Sequence, residues 1–209
     1  DPTGAGASSY IVTNSTGSLK REVPADGATA VSFPVGNASY NPVVLSGDAT
    51  ATTDTYGVRV ADNEPANAAT DHFVDRSWVI TEEVPGGSDL TVGLQWNATE
   101  ELNNFNSLQS AVGRVTAAGP AYEWKEFGVA AGGDPYSREG VGFTDVGTFA
   151  VGDINNIAVA GSFELRDSQE FGFCCGGGGG VLANERAAPL RAKVFDLKRR
   201  QIVETGADR

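Results

Sequence analysis

The chain has 209 residues, enough for one sizeable core or for one domain with an appendage. Aspartate and glutamate number 27 against 15 lysines and arginines, a net charge of −12. A surface this acidic repels phosphate backbones and argues against nucleic acid as a partner, and the lack of any apolar run of about 18 residues argues against a membrane span.

From Ser9 to Val151 the dominant signal is short apolar alternation broken by turn residues. Candidate strands in chain order begin with Tyr10–Thr13, followed by the alternating Val31, Phe33 and Val35, and then by Pro42–Leu45. Tyr56, Val58 and Val60 alternate in turn, as do Trp78 and Ile80, and then Leu90, Val92, Leu94 and Trp96. A period of two puts each set on one face of a strand and the polar residues on the other. Between Arg76–Glu82 and Asp89–Trp96, the sequence Pro85-Gly86-Gly87 is a hairpin signal. Only Thr99–Gln109 suits a short helix in this region, and Gly113–Ala117, Tyr122–Phe127 and Gly147–Val151 complete the strands. About eight or nine short strands separated by Gly, Pro and Asn predict a mainly β chain, an antiparallel two-sheet β-sandwich over residues 1–153.

The character changes after Asp153. Ile154–Phe163 is apolar and reads as a last strand or a connector, which makes residues 154–166 a junction. Gly176 to Gly180 is an unbroken glycine run, predicted to be a flexible loop. Beyond it, from Pro189, an amphipathic helix is expected. Leu190, Val194, Leu197 and Ile202 line one face and Arg191, Lys198 and Arg199 the other, with Gly206 suited to the C-cap. Such a helix needs a partner surface. Charge breaks at the same place: residues 1–164 carry 21 acids and 7 bases, a net of −14, whereas 165–209 carry 6 acids and 8 bases, a net of +2. Cysteine usage breaks there too, since the first 173 residues have none and Cys174 and Cys175 then stand side by side. A bridge between neighbours strains the intervening peptide, so the pair reads as two thiols or two metal ligands. With no methionine and no signal peptide, the chain reads as a processed mature form or an excised fragment.

Two resemblances follow, and they differ. Phe33-Pro34-Val35-Gly36 with Tyr40-Asn41-Pro42, Arg76-Ser77-Trp78-Val79-Ile80, Pro85-Gly86-Gly87, Leu94-Gln95-Trp96-Asn97 and Phe149-Ala150-Val151-Gly152-Asp153 give residues 10–153 their likeness. This part resembles the β-sandwich modules of large bacterial surface proteins exported by the type IX route. The resemblance implies an extracellular or cell-surface module with a structural or adhesive role and no catalytic residues. Its expected partners are neighbouring modules of the same protein or a cell-surface or glycan ligand. Phe171-Gly172-Phe173-Cys174-Cys175-Gly176 and Glu204-Thr205-Gly206-Ala207-Asp208 instead resemble the cysteine-rich Cys-Cys-Gly domain of heterodisulfide reductase-like iron–sulfur oxidoreductases. That resemblance covers the tail, residues 167–209 with a short lead-in from Leu165, and by itself implies a cytoplasmic electron-transfer protein. In that family further cysteines complete the site. Here none lies upstream of Cys174 and the chain stops before a downstream Cys-x-x-Cys. Cys174 and Cys175 therefore hold an iron–sulfur cluster or zinc only if further thiolates come from elsewhere. Two families meeting near 154–166 point to a natural fusion or to a join made in cloning or assembly.

The remaining chemical signals are weaker. His72 is the only histidine and lies in a loop-like stretch, where packing or solvation is its expected role. Glu82-Glu83 and Glu100-Glu101 invite a glycosidase reading, yet neighbours on a strand point to opposite faces. Asp48, Asp54, Asp62, Asp71 and Asp75 are loop carboxylates that calcium could collect, without matching an EF-hand, and are expected to be solvated. The glycine run lacks the Lys-Ser/Thr of a phosphate loop. Asn14, Asn37 and Asn97 head glycosylation triplets of the kind that arise by chance in such a composition. A carbohydrate-binding module is the third reading, with Trp124 beside Tyr122 as its candidate platform if the ring is not buried in the core. No catalytic residue is assigned.

Overall fold

The computed structural model describes residues 3–13, 15–63, 71–116 and 122–154. The chain divides into two units, residues 1–160 and 161–209, and every described residue belongs to the first. The strands in chain order are β1 (Ile11–Val12), β2 (Leu19–Val23), β3 (Val31–Phe33), β4 (Val35–Gly36), β5 (Val43–Gly47), β6 (Asp54–Ala61) and β7 (Ser77–Glu82). They continue with β8 (Leu90–Trp96), β9 (Ser110–Val115), β10 (Tyr122–Trp124), β11 (Ala131–Gly132), β12 (Tyr136–Phe143) and β13 (Gly147–Asp153). One sheet has the order β10-β9-β13-β7-β6-β2 and the other β11-β12-β8-β5-β3, both antiparallel throughout. A two-stranded parallel pair, β1 with β4, lies beside them. The expected mainly β, two-sheet antiparallel sandwich is what forms.

Its core is what strand alternation dictates. Along β8, Leu90, Val92, Leu94 and Trp96 are buried while Thr91, Gly93 and Gln95 lie on the other face. Tyr56, Val58 and Val60 of β6 are buried in the same cluster, with Trp78 and Ile80 of β7 and Leu45 of β5. Phe143 and Phe149 close one side edge-to-face at 5.0 Å, the geometry that aromatic quadrupoles favour.

Three expectations need correction. The Pro85-Gly86-Gly87 stretch does not make a hairpin, because β7 pairs with β6 and β13 while β8 pairs with β5 and β12. The loop crosses from one sheet to the other instead. Two strands with matching apolar faces can meet side by side or face to face, and seven residues from Glu83 to Asp89 are enough to span the roughly 10 Å between packed sheets. Gly86 and Gly87 take φ of +90° and +84°, open to glycine at no steric cost, and Thr52 donates its backbone N–H to the Gly87 carbonyl at 2.8 Å. Ser88 ties the loop down through Tyr56 (2.9 Å) and Glu82 (2.6 Å).

Nor is there a helix over Thr99–Gln109. Two single 3-10 turns stand there, Ala98–Glu100 and Ser107–Gln109. Asn104 sits at φ +62°, and the Asn106 side chain accepts from the Leu108 N–H at 3.1 Å, so short polar side chains capture the backbone before a helix can propagate. Finally, β2, β12 and the two-residue β11 have no counterpart among the expected strands. β2 is a sheet edge carrying Lys20, Arg21 and Glu22, and β12 holds two internal glycines and a register shift between Gly140 and Phe143, so neither shows clean alternation.

The glycine run, the amphipathic helix and Ile154–Phe163 beyond Ile154 lie outside the described residues. Among the described residues no helix is long and apolar enough to cross a membrane.

If Phe149 anchors the core in this way, Phe149→Ala will cost about 3–5 kcal/mol in urea denaturation. Val141→Ala, on the exposed face of β12, will stay within about 0.5 kcal/mol.

Candidate functional site

One end of the sandwich is organised by a buried carboxylate. Glu100, 5% exposed, accepts five hydrogen bonds. Arg76 Nη2 donates at 3.1 Å, Asn41 Nδ2 at 2.6 Å, Asn97 through its backbone N–H at 2.9 Å and its Nδ2 at 2.8 Å, and the Ser39 hydroxyl completes the set. Arg76 Nε also donates to Asn41 Oδ1 at 3.2 Å and lies 3.6 Å from Asp62. Arg76 leads into β7 of the six-stranded sheet, Ser39 and Asn41 precede β5, and Asn97 follows β8, so the network links loops of both sheets. The Trp78 indole N–H reaches the Asn41 carbonyl at 3.1 Å and fastens the network to the core. The segments around Asn41, Arg76 and Asn97, far apart in sequence, thus meet at one point.

Beside the network lies a cleft of about 480 Å³, within the usual range for small-ligand sites, about 300–1,000 Å³. Tyr10, ahead of β1, and Tyr40 form its aromatic wall, with ring centroids 5.6 Å apart and planes 38° from each other. Gly36 makes this approach possible: a Cβ there would fall 2.0 Å from the Ser39 carbonyl oxygen and 2.8 Å from the Tyr10 ring. Gln95 of β8, Asn97, Thr99 and Asp134 supply the polar lining. Asp134 is held by the Ala98 N–H, 3.0 Å from one of its carboxylate oxygens. Burial raises the pKa of the Tyr40 phenol, so it stays protonated and able to donate.

The residues singled out in the sequence end up in several places. Glu100 and Glu101 do diverge, Glu100 into the network and Glu101 onto the Trp96 indole N–H at 3.0 Å. Glu82 holds the crossing loop through the Gly86 N–H at 2.8 Å, and Glu83 faces Lys20 at 3.6 Å in an exposed pair. His72 packs in a loop, with Nδ1 3.2 Å from the fully buried Asp153, whose carboxylate also accepts from the Asn106 N–H at 2.7 Å.

Trp124 is half-buried and spent on packing. It stacks on Tyr122 (4.8 Å), lies over Gly113 and contacts Phe73 and Phe127, so the candidate carbohydrate platform is part of a small, half-buried aromatic cluster. The five aspartates do not converge. Asp54 and Asp62 bracket β6, whose length separates them by about 25 Å, and no group of three metal-ligating side chains occurs among the described residues. Asp48 is already satisfied by the Thr50 N–H and hydroxyl at 3.0 and 2.9 Å. Cys174 and Cys175 lie outside the described residues, as does Asn14. Asn97, which heads another glycosylation triplet, uses its side-chain amide on Glu100.

Sequence reasoning missed Asn41, Arg76, Tyr10, Tyr40 and Gln95 as site residues. Asn41 and Arg76 did carry a trace, since polar groups flanking apolar runs are buried only when they have partners. No family model, no curated protein and no solved structure matches the chain.

Replacing Glu100 with Gln removes the charge opposite Arg76 and leaves a buried guanidinium with a poorer partner. A loss of about 3–5 kcal/mol is expected in urea denaturation, against less than about 1 kcal/mol for Glu83→Ala at the surface. A second prediction concerns Asp26, whose pKa falls from 3.8 to about 2 because the Thr29 hydroxyl and the Thr29 and Ala28 N–H groups bond its charged form. That contribution is present above pH 3.8 and is lost as pH drops through about 2. The difference in melting temperature between the protein and Asp26→Asn should therefore be constant above about pH 5 and shrink below it.

Proposed function

We propose that residues 1–153 form a non-catalytic extracellular module of a large bacterial surface protein, with a structural or adhesive role. The observation that carries this reading is the buried Glu100 network, which spends Arg76 and Glu100 on fixing loops rather than on chemistry. Rigid strands with immobilised loops at one end are a common basis for recognition, because little ordering entropy remains to be lost on binding. The acidic balance of residues 1–164 favours a soluble, self-repelling surface, which suits a module displayed in water.

A carbohydrate-binding role is the second reading, favoured by the Tyr10–Tyr40 cleft rather than by Trp124. The iron–sulfur electron-transfer reading continues to rest on Cys174 and Cys175 in the sequence alone.

Surface biotinylation of intact producing cells tests the proposal. Lysines of the sandwich, Lys20 foremost, should be labelled without lysis, and labelling only after lysis would refute an extracellular role.

A further inference from the structure

The Tyr10–Tyr40 cleft has unspent hydrogen-bonding capacity of both signs. Among the described residues, the Gln95 side-chain amide, the Tyr40 hydroxyl and the Thr99 hydroxyl make no hydrogen bond, and the second carboxylate oxygen of Asp134 has no partner. Their backbones are nevertheless held. The Gln95 carbonyl accepts from Asn41 Nδ2 at 3.5 Å, its N–H donates to the Pro42 carbonyl at 3.3 Å, and Thr99 sits in the 3-10 turn that Glu100 ends. The groups are thus positioned by the same buried network that closes this end of the sandwich.

Ligand chemistry follows from what lines the space. Among the described residues no lysine or arginine lines the cleft, and Arg76 is committed to Glu100 behind Ser39, which disfavours an anion. The described lining holds a single carboxylate, too few for a hard cation, which takes six or more oxygens. An entirely apolar ligand would leave Gln95, Tyr40 and Asp134 desolvated and unpaired, at a cost of about 1–3 kcal/mol each. What remains is a neutral molecule with an apolar face for the tyrosine wall and hydroxyls on its rim.

We propose that this cleft binds a short neutral glycan. A sugar ring stacks its C–H face against Tyr10 and Tyr40, and its hydroxyls bond to Gln95, Thr99 and Asp134. Asn97 remains bound to Glu100 and acts as a positioning residue. The assignment deepens the adhesive reading above and supplies that module with a ligand, but the two fail separately. A protein labelled on intact cells that binds no glycan loses the cleft assignment alone, whereas a glycan binder labelled only after lysis loses the extracellular role alone.

The test uses the full 209-residue chain, displayed multivalently so that weak single-site affinity is still read, on an array of neutral and acidic oligosaccharides. The best neutral oligosaccharide is then titrated by calorimetry against the protein, Gln95→Ala and Tyr40→Phe. Expected is binding to neutral glycans, a loss of about tenfold or more in Gln95→Ala, and a melting temperature for that variant equal to the parent's, since its amide makes no bond in the fold. Tyr40→Phe tests the same cleft by removing only a hydroxyl, should Gln95→Ala perturb the strand. Silence across the array, binding confined to acidic glycans, or unchanged affinity in both variants overturns the assignment. So does displacement of the oligosaccharide by a tyrosine- or proline-rich peptide that binds the cleft more tightly.

Discussion

A charge buried in a β-sandwich is tolerated only with its partners in place, and the Arg76–Glu100 pair imposes that condition on the whole end of this fold. Burying each ion costs several kcal/mol before any attraction is counted. The offset comes from Asn41, Asn97 and Ser39, which with Arg76 fill both carboxylate oxygens. An apolar replacement of the whole set could be as stable, but it would not specify one arrangement of the three loops. Hydrogen-bond geometry does, since a displacement of about 1 Å in any of these loops takes a donor out of range.

That requirement reaches in two directions. Inward, the Asn41 carbonyl takes the Trp78 indole N–H and Glu101 takes that of Trp96, so the two large buried aromatics are oriented by the polar layer that covers them. Outward, the same loops present Tyr40 and Thr99 to the cleft beside Gln95 of β8. Core, network and cleft form a continuous series. The opposite end is built differently: Asp26 and Asp48 are satisfied by threonines two or three residues away, which makes tight local turns.

The sequence made the inward faces legible. Alternation along Tyr56–Val60 and Leu90–Trp96 is a local property, because successive Cβ atoms of any extended segment point to opposite sides, and these residues are buried as expected. Glu100 and Glu101 also diverge, but from the end of a 3-10 turn rather than from the strand that the alternation argument assumed. The candidate site was far less legible. Asn41 and Glu100 are 59 residues apart and Arg76 and Glu100 are 24 apart, and no spacing rule links such positions before the sheets are stacked.

By itself, then, the sequence determined a mainly β chain, the buried face of its clearest strands and an acidic surface, since all three follow from residue type and period. Tertiary structure alone decided that Pro85-Gly86-Gly87 crosses between sheets, that Trp124 packs over Gly113, and that Arg76, Asn41 and Glu100 share one buried site. The physical reason is the same in each case. Strand neighbours and buried polar partners are chosen by competition among all the faces that must be covered at once, and local sequence carries no term for a partner fifty residues away.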